Sequence, residues 1–406
     1  MNAMNRAACL MLACASLYAF AGDEALDPRA AAFFEVSTAV TPVNVFVGLT
    51  GLQAPRNRDF LDFGRERAAA RVIPSEERDK DLIPIKYDAD RMNCWIVDWE
   101  PFEKEPQCAP LVEAVQTLRD NETVLARYRF VRTLPAGGEG DAYYSGRLAI
   151  MLAKLSAISV KVAWREGRAE DAYSEWAGQM RLANQLCGGT TSLVELAICE
   201  VVEGLSLGTG EMLFFRMPEV IDRHADDALA LLRFQGLQRY DLPGMQRRWY
   251  LRLKRYYEGS MPAGSILPHY VENRFFQYSQ QLLAAATIPM AQLKSRVPCE
   301  CLATEDEGSS DAQLAASAKL VDQAFGTVYT ELLQSAHRKN RQRALLATRI
   351  ILGRDHVAPA SIPERLETMV PEVSDPLSYA PMEWDASKRI LHYSGEAAAP
   401  YLEARF

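Results

Sequence analysis

Three common catalytic signatures are missing from this chain of 406 residues. It has no His-Glu-x-x-His zinc motif, no phosphate-binding loop and no dinucleotide fingerprint. Their absence does not exclude an enzyme. It does favour a non-catalytic role, and it gives no reason to expect a cofactor.

Histidine and positive charge are also scarce. The chain has five histidines, none spaced for chelation on one helix turn, and no Cys-x-x-Cys pair, so we predict no metal site. Its formal net charge is −8 and its pI is about 5.4. Phosphate affinity comes from a basic surface, so we expect no nucleic-acid partner. With 49% hydrophobic and 24% charged residues, the composition is that of a globular protein.

Residues 1–21 have the pattern of a secretory signal peptide. Arg6 supplies a positive charge, the stretch from Ala7 to Phe20 forms an apolar core, and Ala19-Phe20-Ala21 matches a small-x-small cleavage site. The core is too short to span a bilayer of about 30 Å as a helix. We therefore predict export, to the periplasm, with cleavage at that site. A lipoprotein cut before Cys14 is the alternative.

The cysteines fit an exported protein. If the signal is removed, six remain: Cys94, Cys108, Cys187, Cys199, Cys299 and Cys301. An even number in an oxidising compartment is consistent with disulfides, and six cysteines allow 15 pairings. We predict a Cys94–Cys108 bond because a proline-containing loop lies between the two. Cys187 and Cys199 suit each other less well, because a helix starting near Thr191 would carry Cys199 about 10 Å along its axis.

The centre of the sequence has the periodicity of amphipathic helices. Apolar residues recur at helical spacing in 143–165, 169–186 and 191–215, and the first two stretches are joined by the turn Glu166-Gly167-Arg168. The pattern predicts a mainly α-helical fold of antiparallel helical hairpins, packed as a bundle or as an irregular tetratricopeptide-like solenoid. Residues 382–393 have the pattern strand, turn, strand, which predicts a small C-terminal β-hairpin.

This pattern divides the chain into four segments. They are the signal peptide at 1–21, an N-terminal helical and irregular segment at 22–110, the helical body at 111–360 and the hairpin tail at 361–406. The body is the segment in which the helical periodicity is clearest.

The presumed mature N-terminal segment opens with an apolar stretch at 41–55. We predict a first core helix there, with Thr41 as its cap, Pro42 in its first turn and Pro55 at its end. Its glycines, Gly48 among them, would allow close helix packing. Further on, the run from Trp95 to Trp99 predicts a short strand.

Two parts of the chain carry a resemblance. The first is Gly48-Leu49-Thr50-Gly51-Leu52-Gln53-Ala54-Pro55 with Phe63-Gly64-Arg65, and the second is the tail, with Ile362-Pro363-x-x-Leu366, Asp375-Pro376-Leu377-Ser378 and Leu391-x-Tyr393-Ser394-Gly395. Together they resemble a loose group of uncharacterised exported bacterial helical proteins. The tail is also similar to the C-terminal β-hairpin of type II secretion pseudopilins. The chain lacks their methylated Phe-Thr-Leu-Ile-Glu-like start and N-terminal assembly helix, so the resemblance implies export and architecture and no pilin function.

Two groups of polar residues are the strongest candidates for catalysis. Glu200 and Glu203 lie three residues apart on one predicted helix face, where paired carboxylates could act as general acid and base. His269 and Glu272 belong to a polar cluster after a proline break, where His269 could be a base near neutral pH. The ordinary alternatives are a solvated helix face and a structural histidine.

A basic and aromatic run is the strongest candidate for binding. It contains Arg247, Arg248, Trp249, Arg252 and Arg255. Such a run could contact an anionic membrane surface. It could equally form an ordinary helix, whose long side chains lie along apolar surface.

These observations predict an exported helical protein that binds a periplasmic protein partner without catalysis. An immunity or accessory factor for a secreted toxin is one version of that role. The alternative is a cell-envelope hydrolase that acts on glycan or lipid through carboxylates, which requires a cleft with two carboxylates on facing helices.

Overall fold

A computed structural model of the chain describes residues 23–35, 43–70, 74, 79–97, 108–135, 146–189, 193–232, 242–285, 311–369, 382–393 and 403–406. Over these residues the protein is mainly helical, as predicted, and it ends in a small antiparallel sheet. The predicted signal peptide, Cys299 and Cys301 lie outside the described residues. No helix within the described ranges is long and apolar enough to cross a membrane.

The helices are α1 (Pro28–Phe34), α2 (Val45–Gly51), α3 (Phe60–Ala69), α4 (Ala89–Met92), α5 (Cys94–Val97), α6 (Leu111–Asp120), α7 (Glu122–Val131), α8 (Gly146–Arg165), α9 (Ala169–Gly188), α10 (Leu193–Arg216), α11 (Glu219–Leu231), α12 (Leu242–Ser260), α13 (Pro268–Ala285), α14 (Ala312–Arg354) and α15 (Ile362–Thr368). The strands are β1 (Glu383–Asp385), β2 (Ile390–His392) and β3 (Glu403–Arg405), and a 3₁₀ turn spans Pro359–Ser361.

The chain groups into two compact units. The smaller unit contains Met1–Glu35, Tyr250–Leu282 and Pro298–Tyr329, and the larger unit contains the rest. Helices α12, α13 and α14 therefore contribute residues to both. Each unit contains stretches that are distant in sequence. The division of the chain into four sequence segments stays a prediction.

The turn between α8 and α9 shows why the body forms helical hairpins. Gly167 has a φ of 70°, in the left-handed region that glycine adopts without a Cβ clash. The backbone N–H of Arg168 donates to the carbonyl of Ala163 at 2.8 Å, which closes the end of α8 in a Schellman arrangement. The chain then reverses and packs α9 against α8. The predicted turn at 166–168 is confirmed.

The main core of the larger unit lies among α8, α9, α10, α11 and the later part of α14. Trp176 is fully buried at its centre. Its indole N–H donates to the carbonyl of Ser206 at 2.9 Å, and its ring meets that of Phe214 edge-on at 4.9 Å. This one side chain thus holds α9 against α10 through both a hydrogen bond and apolar packing.

The first core helix differs from its prediction in its start. It begins at Val45, and the Asn44 side chain accepts hydrogen bonds from the backbone N–H groups of Phe46 and Val47. Asn44 therefore provides the cap that was assigned to Thr41, a residue outside the described ranges. Asparagine caps at least as well as threonine, and composition cannot choose between two polar residues three positions apart.

The predicted strand at Trp95–Trp99 is wrong where the structure describes it. Residues Cys94–Val97 form the helical turn α5 instead, and the Trp95 indole N–H donates to the carbonyl of Ala109 at 2.8 Å. Tryptophan, isoleucine and valine favour a strand by composition, but a strand needs a neighbour to satisfy its backbone groups. A helical turn satisfies them locally, as the bond from the Ile96 N–H to the Asn93 carbonyl shows. The predicted Cys94–Cys108 disulfide is confirmed.

The predicted C-terminal hairpin is confirmed, with one addition. Strands β1 and β2 pair antiparallel, with Trp384 opposite Leu391, and the Asp385 side chain accepts hydrogen bonds from the backbone of the turn. A third strand, β3, pairs with the other edge of β2 and places Ala404 opposite Leu391. The sheet packs on α14 and α15 through a shared apolar cluster.

A buried ion pair joins α7, α8 and α9 in the larger unit. The Arg132 guanidinium donates to Glu175 Oε1 at 2.8 Å, Arg129 donates to Oε2 at 2.9 Å, and the Ser156 hydroxyl donates to Oε1 at 2.7 Å. Burial by itself would raise the pKa of Glu175. The two arginine charges and these hydrogen bonds outweigh burial and lower that pKa to about 2.

This carboxylate predicts a pH dependence of stability. Because the pKa of Glu175 is lower in the folded chain than its usual value of 4.5, the pair stabilises the fold above pH 4.5. We expect about 3 kcal/mol of this stabilisation to disappear as the pH falls from 4.5 toward 2. Urea unfolding between pH 7 and pH 2 measures it. Glu175→Gln should flatten the curve in that window, and an unchanged curve in this variant would assign the loss to other groups.

Candidate functional site

The most tightly built polar cluster surrounds Glu203, one of the carboxylates singled out from the sequence. Glu203 is fully buried on α10, and Arg343 of α14 donates from Nε to its Oε1 at 2.6 Å. The same guanidinium donates to the side chain of Asn184 and to the carbonyl of Leu231. One arginine thus ties α14 to α9, α10 and α11.

A second disulfide lies beside this ion pair. Cys187 in the last turn of α9 is bonded to Cys199 of α10, with a Cα–Cα distance of 5.3 Å, and Cys187 Sγ lies 3.8 Å from Glu203 Oε2. The expectation that these cysteines suit each other less well than Cys94 and Cys108 is wrong. The position of Cys199 along the axis of α10 does not determine its distance from Cys187. Helix α10 packs against α9, and this packing brings Cys199 alongside Cys187.

The donor set of this cluster does not suit a metal ion. Potential ligand atoms of Cys187, Cys199 and Glu203 lie within 4.8 Å of one another. Both sulfurs, however, are joined in a disulfide, whereas thiolates are the form that binds metal. The carboxylate is also already matched by the positive charge of Arg343. The arrangement stabilises the packing of four helices.

The disulfide gives a direct stability prediction. We expect the double variant Cys187→Ser with Cys199→Ser to lose about 2–4 kcal/mol of unfolding free energy, because the bond restricts the unfolded chain. Urea unfolding without reductant measures the loss, and unfolding with reductant should abolish the difference from the parent. Peptide mapping under non-reducing conditions provides the control. Free thiols at both positions in the parent protein would contradict this assignment.

The two glutamates of the predicted pair have different environments. Glu203 has no exposed surface, whereas Glu200, on the same helix, is partly exposed. A glycosidase-type pair needs both carboxylates to reach the same substrate. The structure does not give Glu203 that access.

His269 lies at the start of α13 in the smaller unit, where it meets the N-terminal segment. The Asp23 carboxylate accepts hydrogen bonds from the backbone N–H groups of His269 and Tyr270, at 2.9 and 3.1 Å, and so caps the helix. The Nδ1 atom of His269 lies 2.9 Å from the carbonyl oxygen of Glu24. Asn273 continues the attachment, because its side chain bonds to the backbone of Ala25 and Asp27. His269 is therefore engaged in fixing the N-terminal segment.

Glu272, the neighbouring candidate, points into the interior of the smaller unit. It is buried and accepts a hydrogen bond from the Tyr250 hydroxyl. Burial, together with this bond to a carboxylate, raises the pKa of Tyr250 well above its usual range. The Tyr250 ring also packs against Phe34 of α1, with ring centroids 4.2 Å apart. Glu272 has a structural partner, and Tyr250 stays protonated.

The basic run forms part of α12 but is not a uniform surface. Arg248 is buried and donates weakly to the carbonyl of Gly244 at 3.4 Å. Arg247 and Trp249 are partly buried, and Arg255 is exposed. The Arg252 side chain lies outside the described residues. Along the described part of the run, Arg255 is the exposed positive charge that could meet an anionic surface.

A cavity of about 70 Å³ opens between α10, α14 and β3 in the larger unit. Its lining residues are Gly204, Leu207, Gly208, Glu211, Gln342, Leu345, Leu346 and Ala404. None of them was among the sequence candidates. The sequence feature that could have pointed to this cavity is the spacing Gly204-x-x-x-Gly208 on an apolar helix. Two glycines about one turn apart leave that part of the helix face without side chains.

Comparison with known proteins identifies no relative: no family model, no curated protein and no solved structure matches the chain.

Proposed function

We propose that this chain is an exported periplasmic protein, stabilised by disulfides, that binds a partner and does not catalyse a reaction. One observation carries the non-catalytic part. Glu203, one of the carboxylate candidates, is buried in the core and paired with Arg343 beside the Cys187–Cys199 disulfide. The two disulfides also favour an oxidising compartment, which agrees with the signal-like residues 1–21 and the resemblance to exported helical proteins.

The hydrolase alternative has less support. It requires two carboxylates that face one cleft, and Glu203 and Glu272 are both buried and bonded to neighbouring side chains. Its test is direct. If the purified protein cleaves peptidoglycan or phospholipid and Glu200→Gln abolishes that activity, the non-catalytic proposal is overturned.

Export is tested by following the protein in a bacterium that has a periplasm. We expect osmotic shock to release a chain that starts at Gly22 and carries both disulfides. An Ala21→Arg variant, which blocks the predicted cleavage, should remain at full length. Full-length parent protein with reduced cysteines in the cytoplasm would overturn the proposal.

The binding role is tested with the exported full chain as bait. A periplasmic protein partner should be crosslinked in intact cells and recovered at higher yield than with an unrelated exported helical bait. Equal recovery with both baits would count against a protein partner. Recovery of a toxin would favour the immunity or accessory version of the role.

A further inference from the structure

Two aromatic side chains meet at the surface of the larger unit, one from α3 and one from α7. The rings of Phe60 and Phe130 are edge-on, with their centroids 5.9 Å apart. Phe130 is 48% exposed, and no other phenylalanine among the described residues is as open to solvent. Single exposed apolar side chains are ordinary on protein surfaces. The groups around this pair therefore decide whether it is a binding surface.

Arg127 is fixed beside the two rings. It lies three residues before Phe130 on α7 and so shares a helix face with it. Its guanidinium carbon is 5.5 Å from the centroid of the Phe60 ring, within the range of a cation–π contact. One terminal nitrogen, Nη1, donates to the carbonyls of Leu52 and Ala54 at 2.9 and 2.7 Å. These bonds to neutral groups hold the guanidinium in place and leave its charge without an ion-pair partner among the described residues.

Arg56 adds a second guanidinium to this surface. It is exposed and forms no ion pair within the described part of the chain. Burial lowers the pKa of Arg127, the nearby carboxylate of Asp59 raises it, and the like charge of Arg56 lowers it further. Asp59 is engaged as the cap of α3, where it accepts from the N–H groups of Leu61 and Asp62. Two cations near one carboxylate give a local excess of positive charge.

The other arginines around these rings already have carboxylate partners. The pairs are Arg58 with Glu66, Arg65 with Asp62, Arg67 with Asp79 and Arg129 with Glu175. Arg56 and Arg127 differ from them, and both are in the part of the surface that contains the exposed ring. Each guanidinium can donate to a carboxylate through two parallel N–H groups. The surface therefore offers two cationic donors beside an apolar contact.

We propose that this surface, formed by Arg56, Phe60, Arg127 and Phe130, binds an acidic segment of a partner protein that carries an aromatic or large aliphatic residue. Carboxylates of the segment accept from the two arginines, and its apolar residue packs on the Phe130 ring. Arginine and aromatic residues are enriched where proteins meet, and they contribute most of the energy there. This inference rests on the proposed binding role and names the surface and the chemistry of the partner.

The mixture of charges favours a protein segment over an anionic membrane. Asp59, Asp62 and Glu66 are exposed on the same stretch as Arg56. A flat anionic bilayer would meet these carboxylates together with the arginine and be repelled by them. A peptide segment can place its own carboxylates at the two guanidiniums and avoid the acidic side chains.

The test uses the full chain and a fluorescein-labelled synthetic peptide, Asp-Glu-Asp-Phe-Glu-Asp-Glu, in a fluorescence anisotropy titration. We expect saturable binding that weakens as salt is added. A peptide with serine in place of its phenylalanine should bind about tenfold more weakly, because it loses the apolar contact. A peptide with lysine in place of its acidic residues should not bind.

Matched variants locate the binding on this surface. Arg56→Glu should weaken peptide binding about tenfold or more, because a carboxylate now meets the acidic peptide. Arg181→Glu on α9 makes the same charge change at another exposed arginine and should bind as the parent does. Phe130→Ser should also weaken binding, whereas Val201→Ser, at an exposed apolar residue of α10, should not. Circular dichroism verifies folding. If Phe130→Ser does not fold, Arg56→Glu decides, because Arg56 makes no contact that the fold needs.

Three results would overturn this proposal. They are no saturable binding of the acidic peptide, equal affinity of Arg56→Glu and the parent, or binding to phosphatidylglycerol vesicles without binding to the peptide, which would assign the surface to a membrane. The crosslinking experiment separates this inference from the proposed function. A partner recovered equally with parent and Arg56→Glu baits would reject the surface and retain the binding role. Peptide binding without any recovered partner would retain the surface and reject that role.

Discussion

Replacing Gly64 with alanine is expected to destabilise the larger unit by about 3 kcal/mol or more. A Cβ atom at Gly64 of α3 would lie 2.1 Å from the carbonyl oxygen of Val47 in α2, and one at Gly51 would lie 1.8 Å from the carbonyl oxygen of Phe60. These obstacles are backbone atoms, which cannot rotate aside as a side chain can. The two helices would have to separate, and that would open the packing around them.

Urea unfolding followed by circular dichroism measures this loss. Gly51→Ala should behave like Gly64→Ala, because the two glycines form the same close approach. Gly208→Ala is the control, and we expect it to gain about 0.5–1 kcal/mol because its Cβ meets nothing and alanine favours a helix. If Gly64→Ala and Gly208→Ala have the same stability, the close approach of α2 and α3 is not what requires glycine.

The second large effect concerns the buried pair of Glu203 and Arg343. We expect Arg343→Met to cost about 3–5 kcal/mol, because it leaves the Glu203 carboxylate buried without its positive partner. The double variant with Glu203→Leu should recover more than half of that loss, because an apolar pair removes the unmatched charge. Recovery stays incomplete, since Arg343 also donates to Asn184 and to the Leu231 carbonyl.

A double-mutant cycle in urea measures the coupling between the two residues. Glu200→Gln on the same helix is the control, and we expect it to change stability by about 1 kcal/mol or less because Glu200 is partly exposed. Additive losses in the double variant would mean that the two side chains act independently. Strong positive coupling would assign Glu203 to the fold.

The candidate site shows where reasoning from sequence stops. The spacing of Glu200 and Glu203 placed them on one helix and suggested shared chemistry. Spacing along a helix does not say which residues face a neighbouring helix, and Arg343, the partner of Glu203, is 140 positions away in the chain. The same limit produced the wrong expectation for Cys187 and Cys199, whose proximity depends on how α9 and α10 pack.

The local features of this protein could be predicted from its sequence. Apolar periodicity determined the helices of the body, Gly167 determined the turn that makes a hairpin, and the alternating tail determined strands β1 and β2, because each depends on residues that are neighbours in the chain. Packing between distant parts of the chain sets the features that the sequence did not predict. It buries Glu203, joins Cys187 to Cys199, directs His269 to the N-terminal segment and places Gly208 and Glu211 along one cavity. Each of these depends on contacts between helices that are distant in the chain, and such contacts have no period or motif in the sequence.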